Sequence, residues 1–244
     1  MRAIILAAGR GSRMQTLTAN RPKCLIKLRG KTLLQRQIDA LRAAGVVEIG
    51  IVTGYRKEDL MHYGLTQFHN PRWNKTNMVS SLACAAQWLE DGPCIVSYSD
   101  IFYHSSAVEM LMKLSSPIAI TYDPNWLNLW KQRFDDPLTD AETFLINEDQ
   151  VLLEIGSKPA ELSQIQGQFM GLIRLMPKGW SEIVRIRKSL NVNVQDKMDS
   201  TGILQKIIEM GRVPIRAIAI ESQWGEIDTE SDLAYYESIK EELI

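Results

Sequence analysis

An apolar run near the N-terminus that enters a glycine-rich turn constrains the fold of this chain more than any other feature. Residues 3–7 are all apolar, and the turn over 9–12 carries two glycines. A continuous run of this kind is typical of a central parallel strand that is buried on both faces. Apolar residues recur at helical spacing over 33–44, Gly45 follows as a C-terminal cap, and 47–52 is predicted to be a second buried strand. A strand, a helix and a strand in this order predict a βαβ unit, and therefore a parallel sheet with helices on its faces.

The rest of the chain continues this alternation, with one interruption. The same patterns predict strands over 94–98, 117–122, 151–155, 169–175 and 215–220, and helices over 79–88, 105–113, 180–189, 201–209 and 231–241. The stretch 125–168 is rich in aromatic and charged residues, and we expect an inserted lid or β-rich lobe there. The sequence predicts one α/β domain over residues 1–244, with a three-layer, Rossmann-like, mixed but mostly parallel sheet.

Composition and charge argue against several kinds of partner. With 28 basic and 29 acidic residues and a net charge of −1, the chain lacks the basic excess expected of a protein that binds nucleic acid. No apolar run approaches the roughly 20 residues needed to cross a bilayer, so no membrane association is expected. The spacing of Cys24, Cys84 and Cys94 fits neither a redox pair nor a zinc site, and we interpret them as reduced thiols of a cytoplasmic protein.

The turn after the first strand has two interpretations. Gly9 and Gly11 allow the backbone to approach a phosphate so that N–H groups cradle the anion, but they also suit a tight turn between strand and helix. The turn is not a Walker A loop, because no Gly-Lys-Ser/Thr follows. Because Met14 stands where a third glycine would be required, it is not a dinucleotide-binding fingerprint either.

Cationic residues around the turn favour a nucleoside triphosphate as its ligand. Arg10 and Arg13 lie in or beside it, and Lys23 follows an Arg-Pro pair a few residues later. Nucleotidyl transfer needs cations along the triphosphate, because charge accumulates on its oxygens as the bond to the leaving group breaks. Pro22 is expected to restrict the backbone so that Lys23 points in one direction.

Acidic residues at two distant positions predict a metal site. Asp100 follows the apolar strand over 94–98, and Asp228 follows a second short apolar segment near the C-terminus, with Glu226 beside it. Ligands of parallel α/β sheets gather at the carboxyl ends of strands, and Mg²⁺ prefers one or two carboxylates with phosphate oxygens and water. The alternative for Asp228 is that it caps the last helix, a common use of aspartate.

The motifs described above resemble the signature of the nucleotidyltransferase superfamily, which includes sugar-phosphate nucleotidylyltransferases. The resemblance is carried by 6–13 followed by 21–23, and the contexts of Asp100 and Asp228 agree with it. Further segments resemble the CTP-using branch, with its bacterial phosphocholine, 2-aminoethylphosphonate and phosphoglutamine cytidylyltransferases; they are 76–81, 130–134, 136–143 and 224–228.

This resemblance implies a nucleotidyltransferase-type fold and an Mg²⁺-dependent transfer of CMP from CTP to a small phosphate or phosphonate acceptor. It implies nucleotide-binding roles for Leu6, Ala8, Gly9, Arg10, Gly11, Asn77 and Ser80. It assigns binding of the triphosphate and of the acceptor phosphate to Arg13 and Lys23, and binding of Mg²⁺ to Asp100 and Asp228. Cys24 departs from the small residue expected after Lys23, and we interpret it as a packing residue.

Aromatic and charged residues in the inserted stretch are candidates for the acceptor site, together with Lys23. Trp126 and Trp130 lie at i and i+4, and Arg133 and Glu142 follow. An ammonium group is stabilised over an indole face and neutralised by a carboxylate, which suits choline, aminoethyl or amino-acid acceptors. Packing of the tryptophans in the core remains the alternative.

Two other functions stay open from the sequence. One is a sugar-1-phosphate nucleotidylyltransferase that uses another NTP, and the other is a non-catalytic nucleotide-sensing module. The presence of both proposed cations and both proposed metal acids counts against the sensing module. The expected partners are CTP and a small acceptor, in a cytoplasmic enzyme of cell-surface polysaccharide or lipid modification, and a homodimer is left open.

Overall fold

The computed structural model describes residues 1–240 and 243–244. Its strands are β1 (Arg2–Ala7), β2 (Lys27–Leu28), β3 (Lys31–Thr32), β4 (Glu48–Thr53), β5 (Thr66–His69), β6 (Cys94–Tyr98), β7 (Ile101–Tyr103), β8 (Ile118–Asp123), β9 (Phe144–Ile146), β10 (Leu152–Ile155), β11 (Gln168–Leu175), β12 (Ile215–Ala219) and β13 (Trp224–Glu226). Its α-helices are α1 (Leu33–Ala43), α2 (Met78–Leu82), α3 (Ala86–Asp91), α4 (Ser105–Lys113), α5 (Trp126–Arg133), α6 (Pro177–Lys188), α7 (Val192–Lys197), α8 (Ser200–Met210) and α9 (Glu230–Ser238).

A central sheet within the described residues has the strand order β12-β8-β11-β6-β1-β4-β5. Neighbouring strands run parallel, except that β11 is antiparallel to both β6 and β8. The predicted mixed and mostly parallel sheet is therefore confirmed. Leu6 of β1 pairs with Tyr98 of β6, so the glycine turn and the residues after β6 leave the sheet at the same edge.

Helices cover both faces of this sheet, as the three-layer prediction requires. Along β1, Ile4 and Leu6 belong to one core cluster, whereas Ala3 and Ile5 belong to another, because successive side chains of a strand point to opposite faces. The first cluster includes buried residues of α6 and α8, and the second includes those of α1 and α4. The sheet therefore lies between two helical layers.

A small antiparallel pair beside the main sheet joins the middle of the chain to its C-terminal part. Strands β7 and β13 pair with Phe102 opposite Gly225 and Ile101 opposite Glu226. The backbone N–H of Ile227 donates to the carbonyl of Asp100 at 3.0 Å. A Cβ atom on Gly225 would lie 2.6 Å from the ring of Phe102. Glycine at this position therefore permits the close packing that brings the two segments together.

The stretch 125–168, expected to form a lid or β-rich lobe, is only partly β-structure. Its first part forms α5, and β9 and β10 pair antiparallel in its second part. Trp126 and Trp130 of α5 are buried in the core cluster on the α1 face, whereas Phe144 and Leu152 belong to the cluster on the α6 face. Residues at i and i+4 lie on one side of a helix, so burial of both tryptophans favours a helix here.

Other elements also differ from the sequence predictions. The helix predicted over 79–88 is divided into α2 and α3, because Ala85 leaves the helical conformation with φ −101° and ψ 21°. The strand predicted over 151–155 pairs with β9 outside the central sheet. The edge strand β5 has no sequence prediction, since its mostly exposed residues lack an apolar run. The helix predicted over 231–241 corresponds to α9, and position 241 lies outside the described residues.

Among the described residues, we find no helix with the length and apolar character that spanning a bilayer requires.

We predict that Ile4→Ala destabilises the protein by about 2–5 kcal/mol, because it removes a fully buried side chain from the central strand and leaves a cavity. The free energy of unfolding, measured by urea denaturation, tests this expectation. Val47→Ala is the control, since Val47 is 87% exposed and its truncation leaves no cavity. Equal losses in the two variants would contradict the position of β1 at the centre of the core.

Candidate active site

Three acidic side chains meet at the edge of the sheet where β6 ends. Asp100 follows β6, Glu226 is the last residue of β13, and Asp228 lies between β13 and α9. One carboxylate oxygen from each of them lies within 4.8 Å of the other two. The β7–β13 pair accounts for this meeting, because it places Asp100 beside the segment that contains Glu226 and Asp228.

Two cationic side chains neutralise these acids. The Lys23 ammonium donates to Asp100 Oδ2 at 2.8 Å and to Asp228 Oδ1, and Arg13 Nη1 lies 2.8 Å from Asp228 Oδ2. Burial alone would lower the pKa of Lys23, but the charges of Asp100 and Asp228 outweigh it and raise the pKa above its usual value. We call these five side chains, Arg13, Lys23, Asp100, Glu226 and Asp228, the charged cluster.

The path of the Lys23 side chain depends on Gly11. Gly11 has φ +70°, and a Cβ atom there would lie 2.8 Å from Lys23 Cβ and 2.9 Å from Lys23 Cδ. The aliphatic stem of Lys23 therefore lies flat against the glycine backbone, while Thr18 Oγ1 donates to the carbonyl of Gly11 at 2.9 Å. Pro22 is extended at φ −60° and ψ 147° immediately before the short 3₁₀ helix Lys23–Leu25. These contacts hold the lysine with its ammonium between the two aspartates.

The three carboxylates of the charged cluster fit a divalent cation that prefers oxygen ligands, such as Mg²⁺. Asp100 Oδ1 is buried without a hydrogen-bond partner in the described part of the chain, which leaves its lone pairs available to a ligand. Burial, together with the charges of Asp228 and Asp100, raises the pKa of Glu226 to about 8, against the opposing effects of Arg133 and Lys23. Added positive charge would relieve this repulsion among the carboxylates.

A buried ion pair lies behind the charged cluster. Arg133 Nε donates to Asp232 Oδ1 at 2.8 Å, and Arg133 Nη1 lies 3.8 Å from Glu226 Oε2. The other oxygen of Asp232 accepts from the backbone N–H of Asp228 at 3.0 Å and of Thr229 at 2.8 Å. Arg133, expected in the acceptor site, is therefore enclosed behind the acids and does not line the cavity described below.

The N-cap of α9 is Thr229, so the alternative interpretation in which Asp228 caps this helix is wrong. The backbone N–H of Asp232 donates to Thr229 Oγ1 at 3.2 Å, and Asp232 completes a capping box. The carboxylate of Asp228 is thereby left to the charged cluster.

A cavity of about 220 Å³ adjoins the charged cluster and shares Arg13, Glu226 and Asp228 with it. The rest of its wall is aromatic or polar for the most part; it consists of Met78, Tyr98, Trp130, Asp140, Glu142, Thr143, Phe144, Ile155, Gln168, Phe169, Asp199 and Thr201. Trp130 and Glu142, two of the residues predicted to bind the acceptor, are among these lining residues. Trp126 is not among the lining residues, although it is buried in the same core cluster as Trp130.

The cavity carries acidic side chains of its own. Burial, followed by the charge of Asp199, raises the pKa of Glu142, and a hydrogen bond with Thr201 opposes the rise. Trp130 Nε1 donates to Asp140 Oδ2 at 3.1 Å, which orients both side chains in the wall. Carboxylates confined in this way favour a cationic ligand, because an ammonium group offsets both their repulsion and their desolvation.

Sequence reasoning missed several residues of this cavity. Asp199 and Thr201 begin α8, where Asp199 Oδ1 accepts from the backbone N–H of Gly202 at 2.8 Å as an N-cap. The N-cap role of Asp199 was recognisable from the sequence, but the position of Asp199 and Thr201 beside Glu142 was not. Gln168 lies in β11, and its amide accepts from the backbone N–H of Glu142 at 3.3 Å and donates to the carbonyl of Glu142 at 2.7 Å.

The residues expected around a nucleotide lie along the carboxyl end of β1 and at the start of α2. Gly9 has open space where a Cβ atom would be, and the carbonyl of Ala8 accepts from the backbone N–H of Tyr55 at 2.9 Å. The guanidinium of Arg10 lies 5.7 Å from the ring centroid of Tyr55. Leu6 is the last but one residue of β1 and is largely buried.

Asn77 and Ser80 form hydrogen bonds with the segment around α7. Asn77 Oδ1 caps α2 by accepting from the backbone N–H of Met78 at 2.8 Å, and its Nδ2 donates to the carbonyl of Lys197 at 3.2 Å. Ser80 Oγ donates to the carbonyl of Gln195 at 3.2 Å. Met78, between them in the sequence, lines the cavity, whereas the side chains of Asn77 and Ser80 are engaged by the protein itself.

Comparisons with known proteins find a matching domain family and a relative aligned over nearly the whole chain. The family model described as MobA-like NTP transferase domain matches residues 3–132. CTP:phosphoglutamine cytidylyltransferase of Campylobacter jejuni is 34% identical over 253 aligned residues, which cover 96% of this chain and 98% of that protein.

Two solved structures have the same fold over nearly the whole chain. The inositol-1-phosphate CTP transferase from T. maritima has a TM-score of 0.75 at 20% identity and covers 100% of this chain and 97% of its own. CTP:phosphocholine cytidylyltransferase from Streptococcus pneumoniae has a TM-score of 0.71 at 22% identity, with 97% of each chain covered. At these identities the structures support the fold alone.

We predict that Gly11→Ala destabilises the protein more than Gly64→Ala. Both glycines have positive φ, +70° and +66°, so both variants carry a backbone strain of about 1–2 kcal/mol. Only Gly11→Ala also forces a methyl group against the stem of Lys23, since a Cβ atom on Gly64 meets nothing within 4 Å. Urea denaturation measures both losses, and equal losses would contradict the contact between Gly11 and Lys23.

Proposed function

The chain belongs to the MobA-like NTP transferase family, and we propose that it transfers CMP from CTP to a small phosphate- or phosphonate-bearing acceptor with an amino group, releasing pyrophosphate. The observation that carries the proposal is the junction of the charged cluster with the cavity, since Arg13, Glu226 and Asp228 belong to both. A triphosphate bound at the cluster would lie beside an acceptor in the cavity. The activity named for the Campylobacter jejuni relative supports CTP as the donor.

The proposed reaction is a direct displacement at the α-phosphorus of CTP. An anionic oxygen of the acceptor phosphate or phosphonate forms the new P–O bond, and the bond from the α-phosphorus to the oxygen bridging it to the β-phosphate breaks. The electron pair leaves with pyrophosphate, and no general base is needed because the attacking oxygen is already anionic. Positioning and neutralisation of charge therefore account for the catalysis.

The charged cluster has the groups that this displacement needs. Lys23 and Arg13 neutralise charge on the triphosphate and on the acceptor phosphate. Asp100, Asp228 and Glu226 would hold Mg²⁺, which when bound supplies positive charge to the phosphate oxygens of the nucleotide. Positive charge from side chains and metal lowers the repulsion between the two anionic substrates.

The glycine turn is the proposed nucleotide site. Gly9 has open space where a Cβ atom would be, so a phosphate would meet no side chain of this residue, and Arg10 is exposed next to it. Leu6 and Ala8 lead into this turn and belong to the proposed nucleotide site. Asn77 and Ser80 are the proposed neighbours of the cytosine and ribose. Trp126 and Arg133 are left out of the proposed acceptor site, because neither lines the cavity.

The chemistry of the cavity favours a primary ammonium group on the acceptor. Glu142 and Asp199 supply negative charge, and Thr201 and Gln168 add hydrogen-bond acceptors to the same wall. A primary ammonium donates hydrogen bonds to such groups, whereas a trimethylammonium has no N–H to donate. Aminoalkyl phosphonates and phosphorylated amino acids are therefore favoured over phosphocholine and over uncharged sugar 1-phosphate head groups.

We predict that pyrophosphate is released with CTP and an amine-bearing acceptor. The test crosses ATP, CTP, GTP and UTP with 2-aminoethylphosphonate, a phosphorylated amino acid, phosphocholine and glucose 1-phosphate, in the presence of Mg²⁺. Asp100→Asn should abolish release because it removes a charge from the proposed metal site, whereas Asp149→Asn changes only an exposed aspartate and should not. Full activity of Asp100→Asn, or release only with glucose 1-phosphate, would refute the proposal.

We predict that Glu142→Gln raises the KM for the amine-bearing acceptor by about tenfold or more, because a charge-assisted hydrogen bond contributes about 1.5–3 kcal/mol. The KM for CTP should change little, since Glu142 is assigned to the acceptor only. Glu148→Gln is the matched control on an exposed glutamate in the same inserted stretch. Initial rates at varied acceptor concentration measure the effect, and an unchanged acceptor KM would remove Glu142 from the acceptor site.

A further inference from the structure

The Lys23 ammonium lies where a cation bound by Asp100 and Asp228 would lie. It donates to one carboxylate oxygen of each aspartate, and both aspartates belong to the group of three acids whose oxygens lie within 4.8 Å of one another. The lysine is 7% exposed, so little water screens its charge. A divalent ion that binds the same acids therefore meets a positive charge already in contact with two of them.

We propose that Lys23 is the counter-ion of the metal site in the free protein, and that a divalent cation binds there in competition with its ammonium group. The inference rests on the metal site assigned to these acids in the proposed function. Like charges repel strongly at hydrogen-bond distances in a partly buried site. The two cations therefore exclude each other from Asp100 and Asp228, and the metal binds after the ammonium leaves.

The surroundings of Lys23 make its release costly without another anion. Its stem lies against Gly11, where a Cβ atom would come within 2.8 Å of it, and it follows the extended Pro22. A buried ammonium that loses its carboxylates without a new partner carries a large desolvation cost. Phosphate groups of a bound nucleotide are anions of the kind that can receive it. Metal binding and nucleotide binding are then positively coupled through the position of one lysine.

Lys23 thus has two functions with opposite effects on the metal. With nucleotide bound it assists the reaction by neutralising phosphate charge. In the free protein it weakens metal binding by occupying the aspartates. Removing the ammonium should therefore impair turnover and at the same time tighten metal binding, a combination not expected of a residue with only a structural role.

The test measures Mn²⁺ binding to the full chain without nucleotide or acceptor, by calorimetry and by the paramagnetic signal of free Mn²⁺. We expect Lys23→Met to bind Mn²⁺ about tenfold or more tightly than the unmodified protein, because the variant keeps an unbranched stem against Gly11 and lacks the competing charge. Lys27→Met, which removes an exposed lysine from β2, is the matched control and should bind as the unmodified protein does.

A second variant locates the effect. Adding Asp100→Asn to Lys23→Met should abolish the tighter binding, because it removes one of the proposed ligands. Circular dichroism and the unfolding temperature establish that each variant is folded, and Lys23→Gln replaces Lys23→Met if methionine prevents folding. Unchanged or weaker Mn²⁺ binding without the Lys23 ammonium, or tighter binding that survives Asp100→Asn, overturns the inference.

This experiment is independent of the proposed reaction, since it contains no CTP. Tighter Mn²⁺ binding by the variant, in a protein that releases no pyrophosphate with any tested pair, would support the competition and refute only the proposed function. Pyrophosphate release by the unmodified protein, together with unchanged Mn²⁺ binding by Lys23→Met, would support the proposed function and refute the competition.

Discussion

The ion pairs of Lys23 with Asp100 and Asp228 are the interaction on which the candidate active site depends. They join the segment after the glycine turn to residues 77 and 205 positions away in the sequence. Three buried or half-buried acids this close together are tolerated because Lys23 and Arg13 offset the charge of Asp100 and Asp228, and Arg133 lies 3.8 Å from Glu226. Without these cations the acids would repel one another, and the edge of the sheet would not hold them in one place.

The fold brings these groups together through strand ends and one small strand pair. The carboxyl ends of β1 and β6 lie side by side, so the glycine turn and Asp100 leave the sheet together. The β7–β13 pair then adds Glu226 and Asp228 from the C-terminal part of the chain. Behind them the buried pair of Arg133 and Asp232 ties α5 to α9 and holds the backbone of Asp228. The same architecture places the cavity with Glu142 next to the cluster.

Much of the charged cluster could be predicted, because its signals are local. An apolar strand followed by an acid or a glycine turn indicates the carboxyl edge of a parallel sheet, which sufficed to place Asp100 and the glycine turn together. Trp126 and Arg133 could not be placed in this way, since aromatic and basic residues on a short helix can point into the core as well as into a cavity. The meeting of Asp199 with Glu142 had no sequence signal, because an N-cap aspartate looks the same wherever its helix starts.

The sequence by itself determined the α/β class and the mostly parallel sheet. These features follow from apolar periodicity and turn residues, which reflect burial and backbone hydrogen bonding within a few residues of each position. The expectation that Lys23, Asp100 and Asp228 share one site needed the resemblance to a known family in addition to these local patterns. The tertiary structure alone decided that β10 lies outside the central sheet, that Arg133 pairs with Asp232, and that Asp199 lines the cavity together with Glu142. Such contacts join side chains far apart in the chain, and their geometry depends on how whole elements pack against each other, which no local pattern records.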